Sequence, residues 1–166
     1  VITEDSNSGF EFFKEMSRQK GVNCFSAGGK SNIIRQLEQR TNEEGTILVI
    51  VDGAAFGSEM KDISECIKTQ GNIVLYAPES FEWLLLSTKE IPGVKVETIL
   101  QNPEEYIDSK EYVSWERYFT DLLIESTSKN FIWAYSKKRL TKAYFAPRIV
   151  YAVKTIMKLV DWEKSF

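Results

Sequence analysis

Residues 46–53 have the sequence Thr-Ile-Leu-Val-Ile-Val-Asp-Gly, an apolar, β-branched run that ends in an acid and a glycine. A continuous apolar run of this length is typical of a strand that is buried on both faces, as in a parallel sheet. Asp52 stands where this predicted strand ends. Because the carboxyl ends of parallel strands border the ligand crevice of open α/β folds, Asp52 is a candidate site residue.

Predicted strands and helices alternate on both sides of this run. Periodicity predicts strands at 1–4, 22–27, 46–51 and 72–76, and helices at 9–20, 31–39 and 59–70. Such βαβ units have right-handed crossovers, which make the sheet parallel. We therefore predict an α/β fold, with a Rossmann-like four-stranded parallel sheet and flanking helices over residues 1–90 and a mainly helical extension over residues 91–166.

The second half of the chain is divided by charge. Residues 76–128 contain eleven acids and four bases, whereas residues 129–166 contain nine bases and two acids. We predict helices near 80–87, 114–125 and 147–160, and a possible strand at 94–99.

The basic C-terminal segment also contains several aromatic residues: Trp133, Tyr135, Tyr144, Phe145 and Tyr151. This composition suits contact with a phosphate backbone and stacking on bases. The alternative is an amphipathic terminal helix that packs its aromatic face on the acidic segment. Lys137, Lys138 and Arg139 favour a binding role, because three adjacent bases cannot share one helix face.

Composition excludes several kinds of site. The 166 residues include no histidine, which excludes Ser-His and Cys-His nucleophiles and His-ligated zinc. Cys24 and Cys66 lack metal-type spacing and are expected to be buried thiols in a reducing compartment. With no run of eighteen apolar residues and no signal-peptide pattern, we expect a cytoplasmic protein with no membrane partner. Because Val1 already belongs to a predicted strand, we expect a processed or excised domain with a missing upstream domain or a partner protein.

A glycine-rich turn, Gly28-Gly29-Lys30-Ser31, follows the second predicted strand. A P-loop would need a glycine at position 24, where this chain has Cys24, so an ATPase is disfavoured. Backbone N–H groups of such a turn, at the start of a helix and beside Lys30, would still form a modest anion site.

Three features occur in one order: Glu4 at the end of the first strand, the Gly28-Gly29 turn after the second, and Val49-Ile50-Val51-Asp52-Gly53 at the third. In this order the first 90 residues resemble a Toprim domain, the catalytic fold of topoisomerases, bacterial primases and the overcoming-lysogenization-defect nucleases, to which the chain is most similar. The resemblance implies Mg²⁺-dependent making or breaking of phosphodiester bonds. It implies that Glu4 acts as acid/base or metal ligand, and that Asp52 binds the metal.

The chain departs from the Toprim pattern at one position. The family has a second Asp two residues after the first, and this chain has Ala54 there. Glu79, or else Glu82 or Asp5, is a candidate replacement ligand. Each acid also has a structural alternative: Glu4 and Asp5 as caps of the first helix, and Asp52 as a turn former before Gly53.

Two functions follow as hypotheses. The first is a nuclease or phosphotransferase that uses Mg²⁺ or Mn²⁺ on nucleic acid, with Glu4 and Asp52 as catalytic residues. In it the metal ligands are Glu4, Asp52 and Glu79, and the phosphate or nucleic-acid contacts are Gly28, Gly29, Lys30, Lys137, Lys138 and Arg139. The second is a non-catalytic Toprim-like module that binds nucleic acid or a protein partner. Hard oxygen donors bind Mg²⁺ without histidine, which agrees with the first hypothesis.

Overall fold

The computed structural model describes residues 1–42, 44–53, 56–107 and 112–159. Four strands form one parallel sheet in the order β2-β1-β3-β4. Their bounds are β1 Ile2–Thr3, β2 Phe25–Ser26, β3 Ile47–Ile50 and β4 Ile73–Tyr76. The predicted parallel α/β sheet is therefore confirmed, although β1 and β2 are shorter than predicted.

The described residues also form seven α-helices. Their bounds are α1 Ser8–Arg18, α2 Ile33–Glu38, α3 Met60–Gln70, α4 Phe81–Ser87, α5 Glu97–Gln101, α6 Trp115–Thr127 and α7 Pro147–Ile156. Serine side chains cap two of them: Ser80 accepts the N–H of Trp83 at 3.0 Å, and Ser114 accepts the N–H of Arg117 at 3.2 Å. None of the helices in the described ranges is both long and apolar enough to cross a membrane.

The third strand, β3, is buried on both faces of the sheet. Leu48 and Ile50 pack into a core with α1, α4, α6 and α7, whereas Ile47 and Val49 pack into a second core with α2 and α3. Successive side chains of a strand point to opposite faces, so an all-apolar strand supplies both cores. The helices after β4 therefore pack on the same face of the sheet as α1.

The strand predicted at 94–99 is wrong. The structure has α5 at Glu97–Gln101 instead. Val96 is buried, Ile99 and Leu100 are half-buried, and the N–H of Leu100 donates to the carbonyl of Val96 at 2.8 Å. Apolar residues spaced three and four apart share one helix face, and this spacing prevails over the short alternation of Val94 and Val96.

The last helix, α7, ends four residues earlier than the predicted limit at 160, which itself lies outside the described residues. Lys158 has a φ of 55°, and its N–H donates to the carbonyl of Thr155 at 3.1 Å. The next N–H, of Leu159, donates to the carbonyl of Lys154 at 2.8 Å. These two bonds form a Schellman motif, which ends the helix at Ile156.

Candidate active site

A cavity of about 140 Å³ lies at the carboxyl edge of the sheet, beside β1 and β3. The chain continues from β1 to β2 on one side and from β3 to β4 on the other, so this is the topological switch point of the sheet. Open α/β folds bind ligands at that point. The cavity wall includes five acids and one lysine: Glu4, Asp5, Asp52, Glu82, Glu116 and Lys137.

Glu4 and Asp52 are held together at this edge. The N–H of Glu4 donates to the carbonyl of Ile50 at 3.0 Å, which continues the pairing of β1 with β3. The N–H of Asp52 donates to Oε2 of Glu4 at 2.9 Å. The Glu4 carboxylate is therefore bonded to the end of β3 and not to an N–H group of α1, which begins at Ser8. Both side chains line the cavity, where a ligand can reach them.

The surroundings of Glu4 favour its protonated form. Partial burial raises the pKa of Glu4 above its usual range, and the negative charges of Asp5 and Glu116 act in the same direction. The hydrogen bond from Asp52 and the positive charge of Lys30 oppose this effect without cancelling it. A carboxyl group with a raised pKa exchanges a proton closer to neutral pH, as a general acid or base must.

Gly53 fixes the path of the loop after Asp52. A Cβ atom at position 53 would lie 2.7 Å from the carbonyl oxygen of Ala77 and 2.8 Å from that of Pro78. The N–H of Gly53 donates to the same Pro78 oxygen at 2.6 Å. The loops after β3 and β4 therefore touch through their backbones, and only glycine leaves room for that contact.

A buried hydrogen-bonded group lies behind the wall of the cavity, where Ser8 and Glu82 line it. The hydroxyl of Tyr135 donates to Oε1 of Glu82 at 2.6 Å and lies 2.7 Å from Oγ of Ser8. Only 3% of Glu82 and 5% of Tyr135 is exposed. Burial raises the pKa of Glu82 despite the bond from Tyr135, and burial next to Glu82 raises the pKa of Tyr135. This group ties the first turns of α1 and α4 to the loop before α7.

Lys137 is the one base among the described cavity residues, and it is paired with an acid. Its Nζ donates to Oε1 of Glu116, and its carbonyl accepts the N–H of Ser8 at 2.8 Å. Partial burial lowers the pKa of Lys137. The bond to Glu116 and the charges of Glu82 and Asp5 together raise it by more than burial lowers it, so the net shift of the pKa is upward. Lys137 therefore stays charged and offsets part of the negative charge of the cavity.

The candidate replacement ligands lie in different places. Glu79 is exposed and does not line the cavity, whereas Glu82 lines it and is bonded to Tyr135. Asp5 lines the cavity and accepts the N–H of Asn7 at 3.3 Å, just before α1. Within the described ranges, no three His, Cys, Asp or Glu side chains are grouped closely enough to hold a metal ion.

The glycine-rich turn donates its N–H groups within the protein. The N–H of Gly28 donates to Oγ of Ser26 at 3.1 Å, and that of Gly29 donates to the carbonyl of Glu4 at 2.8 Å. Nζ of Lys30 donates to Oγ of Ser58 at 3.2 Å and lies 3.5 Å from Oε2 of Glu59. In this arrangement the turn supports the end of β1, and a bound anion would have to displace these contacts.

The three consecutive bases of the C-terminal segment differ in exposure, and so do its aromatic residues. Lys137 faces the cavity, while Lys138 and Arg139 are exposed. Trp133, Tyr135 and Tyr144 are buried, so they are not available to stack on bases. Phe145 is half-buried, and Tyr151 is exposed.

Sequence reasoning missed Ser8, Glu116 and Tyr135 as residues of the site. Ser8 lies in the first turn of α1, four residues after Glu4, and this position was a usable signal. Tyr135 contacts Glu82, 53 positions earlier in the chain, and Glu116 contacts Lys137, 21 positions later. Pairs so distant leave no local pattern in the sequence.

Comparisons with known protein families, with curated proteins and with solved structures found no match. The interpretation of the site therefore depends on its own geometry and charge.

Proposed function

We propose that this chain is a Toprim-like domain that hydrolyses or transfers phosphodiester bonds of nucleic acid with the help of a divalent metal ion. The observation that supports it most is the placement of Glu4 and Asp52. They are bonded to each other across β1 and β3, at the switch point, and they line one cavity. That placement combines the two acids on which the sequence resemblance depends.

The donor set fits a hard cation. Carboxylates are the protein ligands that Mg²⁺ and Mn²⁺ prefer, and Mg²⁺ is commonly held by one or two of them while water and substrate phosphates supply the rest. Glu4 and Asp52 would hold the ion at the cavity. Bound there, a divalent ion supplies positive charge that stabilises the charge developing on a phosphate during displacement.

The residues of the chain itself have distinct roles in this proposal. Asp52 would hold the ion through its carboxylate. Its backbone N–H donates to the Glu4 carboxylate and so orients it. As the acid/base, Glu4 would accept the proton of the attacking hydroxyl or water and return it to the leaving oxygen. Lys137 and Glu116 form a neutralised pair in the wall, so that pair adds little further repulsion toward a phosphate.

A second candidate is the non-catalytic module that binds nucleic acid or a partner protein. Two observations favour it: position 54 is alanine, and no third acid of the described residues joins Glu4 and Asp52 in a metal-sized group. Such a module would keep the fold and the cavity without the chemistry.

Calorimetric titration with Mn²⁺ and Mg²⁺ tests the proposal. We expect saturable binding by the natural chain, loss of binding in Asp52→Asn, and unchanged binding in Asp62→Asn. Asp62 is a suitable control because it is exposed, in the first turn of α3. Cleavage of labelled DNA and RNA with and without EDTA would then identify the substrate. If no metal binds even with an oligonucleotide present, and nothing is cut, the enzyme proposal is wrong and the non-catalytic module stands.

A further inference from the structure

The turn at residues 130–133 exposes two large apolar side chains. Phe131 is 94% exposed and Ile132 is 68% exposed, although the next residue, Trp133, is buried. Single exposed apolar residues are common on protein surfaces, but two adjacent ones at the tip of an ordered turn are a typical contact surface.

Hydrogen bonds hold this turn in place without help from Phe131 or Ile132 side chains. Oδ1 of Asn130 accepts the N–H of Ile132 at 3.2 Å, and the carbonyl of Asn130 accepts the N–H of Trp133 at 3.0 Å. The hydroxyl of Thr141 donates to the carbonyl of Ile132 at 2.5 Å. Behind the turn, the hydroxyl of Tyr144 donates to the carbonyl of Trp133 at 2.7 Å. The exposed pair is therefore presented by a built scaffold.

The segment of chain that carries the turn is basic. Residues 129–159 contain eight bases and no acid. Lys129 comes directly before the turn. Lys142 follows Thr141, whose hydroxyl donates to the Ile132 carbonyl of the turn. The guanidinium of Arg148 lies 5.5 Å from the ring centre of Trp133 and 3.6 Å from Oε2 of Glu90, so Arg148 is partly neutralised. Lys129 and Lys142 are both exposed.

We infer that the Phe131-Ile132 turn is a stacking platform for single-stranded nucleic acid, with Lys129 and Lys142 contacting the phosphates beside it. The inference rests on the proposed function for the choice of nucleic acid as the partner. An exposed aromatic ring stacks on the face of an unpaired base, which a duplex covers with the neighbouring base pairs. Flanking lysines attract the phosphate backbone without selecting a sequence. The predicted ligand is therefore a single strand, bound with little sequence preference.

Fluorescence anisotropy of a labelled oligothymidylate tests the platform. The strand is roughly 15 nucleotides long, near the upper limit of common single-strand site sizes. The titration is done in EDTA, so that metal binding at Glu4 and Asp52 does not contribute. We expect Phe131→Ala to weaken binding roughly 5- to 150-fold, the range given by the usual energy of stacking one base on an aromatic ring. Phe131→Trp should restore binding.

Two controls separate stacking from general effects. Val113 is an apolar residue in another loop and is 85% exposed, so Val113→Ala should leave the affinity unchanged. Lys129→Gln and Lys142→Gln should each reduce the slope of log affinity against log salt by roughly 0.7. Circular dichroism of each variant confirms that it is folded.

The inference is overturned if the natural chain does not bind the oligonucleotide, or if Phe131→Ala binds as well as the natural chain. Binding to vesicles that contain phosphatidylserine, lost in Phe131→Ala and without any oligonucleotide binding, would also overturn it and assign the turn to a membrane surface. Failure of the enzyme proposal is recognised separately. In that case metal titration shows no effect of Asp52→Asn, while Phe131-dependent binding of the strand in EDTA remains.

Discussion

Tyr135 and Phe131 are four residues apart and have opposite environments. Tyr135 is 5% exposed and bonded to two side chains at the inner wall of the cavity, whereas Phe131 is 94% exposed at the tip of a turn. Two adjacent lysines of the same segment show the same contrast. Lys137 is paired with Glu116 at the cavity, whereas Lys138 is exposed. One basic, aromatic segment therefore supplies both a structural wall for the cavity and a free surface. Composition alone does not separate these two uses.

The largest predicted effect contrasts these two aromatic residues. We expect Tyr135→Ala to lower the free energy of unfolding by about 3–5 kcal/mol, because it empties a buried site and leaves Glu82 without its donor. Phe131→Ala should change it by less than about 0.5 kcal/mol, since the Phe131 ring is exposed. Urea denaturation of both variants measures the difference. Equal losses of stability would mean that the two regions do not differ as described.

A smaller effect is expected from glycine substitutions at the cavity edge. Gly53→Ala should destabilise the fold by about 1–3 kcal/mol, because its Cβ would overlap two backbone carbonyl oxygens that cannot rotate away. Gly57→Ala is the matched control, since a Cβ at position 57 meets nothing within 4 Å. Thermal or urea unfolding compares them. If Gly53→Ala is as stable as Gly57→Ala, the backbone contact between the two loops is not tight.

The third prediction concerns pH and the buried acid of the cavity wall. Burial raises the pKa of Glu82 above the ordinary value of 4.5, so the folded protein keeps this proton at pH values where the unfolded chain has lost it. The stability that Glu82 contributes is therefore present below pH 4.5 and is lost as the pH rises through the raised pKa. Glu82→Gln removes this titration.

We accordingly expect the stability of Glu82→Gln to increase relative to the natural chain as the pH rises above 4.5, by about 1.4 kcal/mol for each unit by which the pKa is raised. Urea unfolding at a series of pH values gives this difference. Glu104→Gln serves as the control because Glu104 is exposed. A constant difference between Glu82→Gln and the natural chain across the pH series would show that Glu82 is not protonated by burial.

The features that sequence reasoning predicted are those with local signals. Each strand is a short apolar run, and the alternation of strands with helices predicted the parallel sheet that the structure has. The positions of Glu4 and Asp52 followed from their place at the ends of those strands. In contrast, the segment at 94–100 has two apolar residues that fit a strand, Val94 and Val96, and three that fit a helix, Val96, Ile99 and Leu100, and tertiary packing selected the helix.

The remaining features of the site depend on contacts between distant residues. The N–H groups of Gly28 and Gly29 donate to Ser26 and to the backbone of Glu4, so they are not free to bind an anion. The glycine motif alone does not specify these acceptors. Which of Lys137 and Lys138 enters the cavity depends on the position of Glu116 in α6. These are properties of the assembled fold.

The span of the contacts around the cavity also determines when it can form. Ser8 and Tyr135 are separated by 127 positions, and Glu11, which accepts the N–H of Leu140 at 2.8 Å, by 129. Contacts over such distances are formed late in folding, since a large loop must close before they form. During synthesis Glu4 and Asp52 leave the ribosome before Lys137, the most C-terminal of the described residues that line the cavity. A nascent chain therefore has the acids long before it has the cavity.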